Sequence, residues 1–211
     1  MRLENDKVIL RDMIASDADD RVRWQTVETE WLDWDAPWES DPASLFYAPF
    51  DETAYRALCA QRLARARGER AMRVSFEICV NDARETHIGW CNSYGIDEEY
   101  RFSPTGRRRA IGIDIPPLEA RHKGYATAAW TLFIDYFFSQ GLREVYTQTW
   151  SGNARVLGLI QKLGFAEADC KPGARLVRGE YYDALTFRLD RRAFRSAARL
   201  RKNGGFHATQ L

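Results

Sequence analysis

Arg121-His122-Lys123-Gly124-Tyr125-Ala126-Thr127 joins a short predicted strand, Ala110 to Ile115, to a predicted helix. The helix carries apolar residues at the i, i+3, i+4 spacing from Ala129 onward. Its first backbone N–H groups have no partner within the helix, and the helix dipole makes that end positive. The small residues let an anion approach the backbone, and the Arg and Lys add charge. This pattern predicts a pyrophosphate site, although a surface turn with two solvated cations fits it equally well.

Three motifs in order resemble the GNAT-type N-acetyltransferase superfamily. The stretch Arg121–Thr127 is similar to its acetyl-CoA pyrophosphate loop, whereas neither the P-loop nor the Rossmann spacing is present. Its second signature resembles Trp150-Ser151-Gly152-Asn153-Ala154-Arg155 followed by Lys162-Leu163-Gly164-Phe165. The closing hairpin of the ribosomal-protein-alanine acetyltransferase-like branch resembles Gly179-Glu180-Tyr181-Tyr182-Asp183. Together the motifs cover about residues 108–190.

The resemblance implies a single α/β domain over residues 1–190, with a mixed, centrally splayed β-sheet flanked by helices. Residues 191–211 form a basic C-terminal helix and a frayed tail. Acetyl-CoA is the implied acyl donor, no metal takes part, and the pantetheine arm runs beside the strand that ends at Ile115. The implied cofactor-binding residues are Ile113, Ile115, Arg121, His122, Lys123, Gly124, Tyr125, Ala126, Thr127 and Asn153. For Asn153, a helix N-cap is an equally suitable role.

The implied reaction is direct attack of a primary amine on the thioester, which needs a proton donor for the leaving thiolate. Relatives use a Tyr or a Ser on the helix after Asn153, but these positions are Ile160 and Val156 here. Tyr181 or Tyr182 is a candidate substitute, and a water-relayed proton is another. The missing acid also supports an alternative function, a non-catalytic sensor module that binds an acyl-CoA without turnover.

Two carboxylates are candidates for the catalytic base. Asp114 lies between two isoleucines in the strand that should line the thioester, so strand alternation points it to the other face. The alternative is an ion pair with the nearby Arg107–Arg109 run. Glu77 alternates away from the apolar face of its predicted strand, and a solvated outer face is the interpretation favoured for it.

The segment Glu28–Asp41 is a candidate acceptor wall. It has six carboxylates, three tryptophans and no Lys or Arg, and acidic groups beside aromatic faces attract cations. The candidate substrate-binding residues are Trp31, Asp33, Trp34 and Asp35. We expect a positively charged acceptor, either a small-molecule amine or a protein N-terminus. The alternative is a packed helix and loop with the tryptophans in the core and the acids outward.

Periodicity predicts the other elements. Val8–Leu10 is an opening strand, and Ser16 or Asp17 caps the next helix. A helix from Asp51 stops at Gly68. The last two strands are joined by a turn at Pro172-Gly173.

The composition of the chain limits the classes of protein and of partner that we expect. The chain has 211 residues, 45% of them hydrophobic, and a formal net charge of +1, which is typical of a folded domain and gives no reason to expect nucleic acid as a partner. The basic run from Arg191 to Lys202 is interpreted as a solvated helix face. Four scattered cysteines and three histidines predict neither disulfides nor a metal site. With no apolar run of about 20 residues and no signal peptide, we expect a cytoplasmic protein with no membrane partner. Homodimers are common in the family.

Overall fold

A computed structural model describes residues 1–66 and 72–202, and its residues group into two compact units. The first unit comprises Met1–Ser93, Gly112–Phe133 and Leu176–Glu180, and the second comprises Tyr94–Ile111, Ile134–Arg175 and the described part of Tyr181–Leu211. The predicted helix stop at Gly68 and the tail from residue 203 onward lie outside the described residues.

The fold is a mixed α/β fold with one eight-stranded sheet, which confirms the predicted fold class. The strands are β1 (Arg2–Glu4), β2 (Val8–Arg11), β3 (Ser75–Val80), β4 (His87–Ile96), β5 (Arg108–Asp114), β6 (Glu144–Trp150), β7 (Ala166–Val177) and β8 (Glu180–Asp190), in the order β1-β2-β3-β4-β5-β6-β8-β7. The pair β5–β6 is parallel, with Ala110 opposite Tyr146, whereas β2–β3 and β6–β8 are antiparallel.

In residues 1–66 and 72–202, six α-helices flank the sheet. They are α1 (Asp17–Thr26), α2 (Pro37–Ser40), α3 (Glu52–Ala66), α4 (Tyr125–Ser139), α5 (Ala154–Leu163) and α6 (Arg191–Lys202), with 3₁₀ turns at Thr29–Asp33 and Leu118–Ala120. Ser16 precedes α1 but its side chain makes no capping hydrogen bond. None of the described helices is long and apolar enough to span a membrane.

In the first unit, β3 is buried on both faces. Ile78 and Cys79 are both fully buried, and Glu77 is only 2% exposed. The expectation that Glu77 lies on a solvated outer face is therefore wrong, because the side chains of Arg21 and His87 lie against its carboxylate and cover it. The register between β3 and β4 shifts at Ile78 and Cys79, which is a β-bulge that re-aims the neighbouring residues of β4.

In the second unit, α5 has the ends that the sequence predicts. The Asn153 side chain accepts a hydrogen bond from the Val156 amide at 3.2 Å, and Gly164 ends the helix in the left-handed conformation with φ 85°. Helix α6 buries Phe194 against Phe138, with ring centroids 5.7 Å apart.

The predicted turn at Pro172-Gly173 is wrong, because both residues lie inside β7. The chain turns later, at Arg178 and Gly179, where both residues have positive φ. β7 is the edge strand of the sheet, so the N–H that Pro172 lacks is not needed for pairing on both sides. Strand β1 was not expected either, since its three residues are too short for a periodic signal.

Candidate active site

The first turn of α4 presents a row of unpaired backbone donors. Among residues 1–66 and 72–202, no group accepts a hydrogen bond from the amides of Lys123 to Thr127, and the first helical bond runs from the Ala128 amide to the Gly124 carbonyl at 3.0 Å. Gly124 has φ 83°, a conformation that glycine adopts without strain. Lys123 and Gly124 are exposed. The predicted loop therefore has the backbone geometry of an anion site.

Arg121 does not point its guanidinium to solvent as a free cation. Its Nε donates to the Ile115 carbonyl at 3.1 Å, its Nη2 donates to the Pro116 carbonyl at 2.8 Å, and its Nη1 pairs with Glu30. The side chain is 10% exposed. Arg121 therefore connects the loop to the chain just after β5 and to the segment Glu28–Asp41 by hydrogen bonds and an ion pair. Exposed His122, with φ 59°, completes the turn.

A lysine from a distant part of the sequence reaches the same loop. The Nζ of Lys7 donates to the Lys123 carbonyl at 2.9 Å. No sequence pattern pointed to Lys7, because the turn between β1 and β2 shares no motif with residues 121–127. Lys7 reaches the loop because β1 pairs with β2 and the turn between these strands is hydrogen-bonded to α4.

Asp114 at the end of β5 interacts with a second carboxylate, Asp35. Burial and the negative charge of Asp35 raise the pKa of Asp114 well above its usual range, and the Arg21 charge opposes the rise only in part. Part of Asp35 is exposed to solvent, and desolvation together with the negative charge of Glu39 raises the pKa of Asp35 to about 6. Two neighbouring carboxyls with raised pKa values favour a cation beside them.

Strand β4 approaches Asp114 so closely that only glycine fits. A Cβ placed on Gly89 would lie 2.0 Å from the Asp114 carbonyl oxygen and 3.1 Å from the Ile115 Cα. One step further along the same strands, a Cβ on Gly112 would lie 2.5 Å from Oδ1 of Asn92. That oxygen is buried and has no partner among the described residues. Gly89, Asn92 and Gly112 were not singled out from the sequence, because a glycine in a strand gives no signal of what it faces.

The predicted acceptor residues separate into a packed set and an accessible set. Trp31 is 7% exposed, donates its Nε1–H to the Trp24 carbonyl at 2.7 Å and packs edge-on against Trp90. Trp34 is half-buried and donates to Glu30 at 2.9 Å. The packed alternative therefore describes Trp31, whereas the carboxylates Asp33, Asp35 and Glu39 are exposed.

Asp33 lies at a small pocket and is paired there. The pocket has a volume of about 270 Å³ and is lined by Asp33, Pro37, Trp38, Ser40, Asp41, Val177 and Arg178. Asp33 makes an ion pair with Arg178, which comes from the turn between β7 and β8. The segment lacks basic residues in its own sequence, but arginines from elsewhere in the chain pair with its acids.

A buried charge network underlies the tryptophans. Arg21 makes two hydrogen bonds to Glu77, at 3.0 and 2.8 Å, and lies 4.3 Å from the centre of the Trp90 ring. His87 Nε2 contacts Glu77 at 3.0 Å and the Gly89 carbonyl at 3.1 Å. Because the Glu77 carboxylate is engaged by Arg21 and His87, these contacts support a structural role for it. Its catalytic role stays a prediction.

The surroundings of His87 favour its protonated form. Its Nδ1 contacts Asp20 at 3.0 Å and lies 3.4 Å from Asp17, so both ring nitrogens face only acceptors, which a ring with a proton on each nitrogen satisfies best. Burial opposes the charge, but the hydrogen bonds to Asp20 and Glu77 outweigh it and raise the pKa of His87. These partners explain the three-membered cluster of possible metal ligands, Asp17, Asp20 and His87, without an ion.

The second unit contains the remaining predicted residues. Tyr182 is half-buried and packs edge-on against Trp150 at 4.9 Å, and Tyr181 is 73% exposed. Asn153 is 3% exposed, and its side-chain oxygen caps α5. This is the helix N-cap role that the sequence offered as an alternative to coenzyme binding. Ile160, at the position of the missing acid, is buried in the core.

Solved structures with the same fold include several acetyltransferases. RimL, a ribosomal L7/L12 alpha-N-protein acetyltransferase solved with coenzyme A, is 13% identical with TM-score 0.66 and covers 90% of this chain and 98% of its own. RimJ from Mycobacterium smegmatis, solved with CoA-disulfide, is 18% identical with TM-score 0.65 and coverages of 93% and 89%. The ribosomal-protein-S5-alanine acetyltransferase from Vibrio fischeri is 19% identical with TM-score 0.65 and coverages of 92% and 98%.

Sequence comparison gives the family itself. No curated protein sequence matches the chain. The family described as acetyltransferase (GNAT) domain matches residues 7–166, about three-quarters of the chain, and includes the loop at Arg121–Thr127 and the signature at Asn153. The predicted resemblance is confirmed, and the chain belongs to the GNAT acetyltransferase domain family.

Proposed function

We propose that the protein is an acetyl-CoA-dependent N-acetyltransferase that acetylates a primary amine. The observation that carries the proposal is the row of unpaired amides from Lys123 to Thr127 at the start of α4, in a chain of the GNAT family. An acyl-CoA pyrophosphate is an anion of the size and charge that such a helix start binds. Structural neighbours solved with coenzyme A support the same donor class.

The donor site is proposed to use backbone rather than the motif's arginine. Amides of residues 123–127 bind the pyrophosphate, and Arg121 holds the loop by its bonds to the Ile115 and Pro116 carbonyls. The pantetheine arm is proposed to run along Ile113 and Ile115, and a backbone amide near Ile115 is the proposed donor to the oxyanion of the tetrahedral intermediate. We also propose, as the sequence predicts, that the side chain of Asn153 lies near the coenzyme.

Asp114 is the proposed general base. An amine enters as its ammonium form, attracted by Asp114 and Asp35, and transfers one proton to Asp114. The raised pKa of Asp114 makes it a stronger base than an ordinary carboxylate. The neutral amine then attacks the thioester carbonyl, and the C–S bond breaks. The nitrogen loses its surplus proton, and the leaving thiolate gains one, either through a water molecule or through Tyr182, which gives its own proton to the thiolate and receives that of the nitrogen. No acetyl-enzyme intermediate is required.

The acceptor is proposed to be a cationic amine. Its proposed binding residues are Asp33 and Asp35 with the edge of Trp34, and Trp31 supports them from the core. A protein N-terminus has the support of the structural neighbours, whose names describe acetylation of ribosomal proteins. A small-molecule amine is the second proposed acceptor class.

A non-catalytic acyl-CoA sensor is the second candidate function. It is favoured by one observation: Ile160 and Val156 occupy the positions at which relatives carry a proton donor, and Ile160 is 2% exposed. A sensor needs the donor site but needs neither Asp114 nor an acceptor site.

Thiol release from acetyl-CoA across a panel of amines and N-terminal peptides separates the two functions. The proposal expects amine-dependent release that rises with pH through the raised pKa of Asp114, since the base works only when it is deprotonated. Asp114→Asn should remove this activity and keep coenzyme A binding. Asp135→Asn, which changes an exposed carboxylate on α4, is the matched control. If the protein binds coenzyme A but acetylates no amine, the enzyme proposal is wrong and the sensor proposal takes its place.

A further inference from the structure

The turn between β1 and β2 is fixed by side-chain amides. The Asn5 Oδ1 accepts hydrogen bonds from the amides of Lys7 and Val8, both at 3.0 Å, and closes the turn on itself. The backbone amide of Asn81 donates to the Lys7 carbonyl at 2.9 Å, and the side-chain amide of Asn81 donates to the Asn5 carbonyl. These bonds give the backbone at Lys7 a single defined position.

The same turn is attached to α4. The Asn5 Nδ2 donates to the Ala128 carbonyl at 3.1 Å, in the first turn of that helix. The tie places the side chain of Lys7 over the loop, where its Nζ donates to the Lys123 carbonyl at 2.9 Å. A Cβ on Gly124 would lie 3.2 Å from this Nζ, so the ammonium stands directly beside the loop backbone.

Lys7 keeps most of its donor capacity. An ammonium has three N–H donors, and the Lys123 carbonyl uses one. Among the described residues, no carboxylate lies within ion-pair distance of it, and its side chain is in contact with solvent. By contrast, the guanidinium of Arg121 is engaged by two carbonyls and Glu30. The arginine of the motif therefore has a structural role, and Lys7 is a cation that lies, together with Lys123, beside the unpaired amides.

We propose that Lys7 is a binding residue for the pyrophosphate of the acyl-CoA, an inference that rests on the proposed function. Its ammonium adds a full positive charge to the partial charges of the amides at residues 123–127, and its free N–H groups donate to phosphate oxygens. The N-terminal hairpin therefore contributes to the donor site through Lys7, with Asn5 as the residue that positions it.

Calorimetric titration of the full chain with coenzyme A tests this. Lys7→Met keeps the aliphatic stem and removes the charge, and it should weaken binding about tenfold, the worth of one charge-assisted hydrogen bond. Lys7→Arg should restore most of the affinity. The matched control is Lys171→Met, because Lys171 is also a surface lysine that donates to a backbone carbonyl, that of Glu99 at 3.2 Å.

Salt dependence separates a phosphate contact from a structural clamp. If Lys7 binds phosphate, the affinity of Lys7→Met for coenzyme A should depend less steeply on salt than that of the unchanged chain, because one attractive charge is gone. Turnover of S-acetyl-pantetheine, which has no pyrophosphate, should stay unchanged. Unchanged coenzyme A affinity, or weaker binding with an unchanged salt dependence, would overturn the assignment of Lys7. Failure of the unchanged chain to bind coenzyme A would instead overturn the proposed function, and the Lys7 inference with it.

Discussion

Replacing His87 by Phe tests the buried charge network most sharply. In the folded protein the cations Arg11, Arg21 and His87 face the anions Asp17, Asp20 and Glu77. Phe keeps a ring beside Trp24, whose centroid lies 4.8 Å from that of His87, but it removes one of the three positive charges. Asp17, Asp20 and Glu77 keep the arginine partners Arg11, Arg23 and Arg21, but all three carboxylates lose their contact with the His87 ring.

The expected cost follows from burial. Removing one partner of a buried ion pair costs about 3–5 kcal/mol. The Asp20 side chain is 32% exposed and each carboxylate keeps an arginine partner, so we expect the lower end of this range, about 3 kcal/mol. At about 2–4 °C per kcal/mol for a chain of this size, His87→Phe should lower Tm by about 6–12 °C.

The pH dependence gives a second, independent signature. Because the fold raises the pKa of His87, its contribution to stability is complete below the ordinary histidine pKa of about 6.5 and is lost as the pH rises through the folded-state pKa. Thermal melting of the unchanged chain should show this loss, and His87→Phe should lack it. His122→Asn, at an exposed position with positive φ, is the control. Identical pH profiles for the unchanged chain and His87→Phe would refute the imidazolium assignment.

Four further changes have defined outcomes. Asp114→Asn should lower kcat about 100-fold and leave the KM for acetyl-CoA unchanged, as steady-state kinetics would show. Gly89→Ala should lower kcat about as much as Asp114→Asn, although it deletes no functional group, because the added Cβ would displace the Asp114 carbonyl. Circular dichroism would show whether the variant still folds. Asp35→Asn should raise the KM for a cationic amine and spare that for a neutral one. Asn153→Ala should cost about 1 kcal/mol in thermal melting, and no loss would contradict its role as a cap.

Local patterns predicted those parts of the fold that local physics determines. Helix α5 begins at Asn153 and ends at Gly164 because an N-cap and a left-handed C-cap act over a few residues. Pro172 misled the prediction, since a proline interrupts a central strand but not an edge strand, and the sequence does not say which strand is at the edge.

The candidate site was predictable in its backbone and not in its side chains. A glycine and small residues before an apolar helix identify the anion loop, but the partners of Arg121 depend on contacts with Glu30, which is 91 residues away in the sequence. Lys7 depends on the same kind of distant contact. Glu77 appeared solvated because alternation shows which residues share a face and not whether a second layer covers that face.

Chemical-shift changes at the backbone amides of Lys123 to Thr127 measure the central claim directly. On titration with coenzyme A, these amides should shift strongly as they donate to the pyrophosphate, and titration with pantetheine should leave them in place. Binding of coenzyme A that leaves the amides of residues 123–127 unshifted would contradict the account.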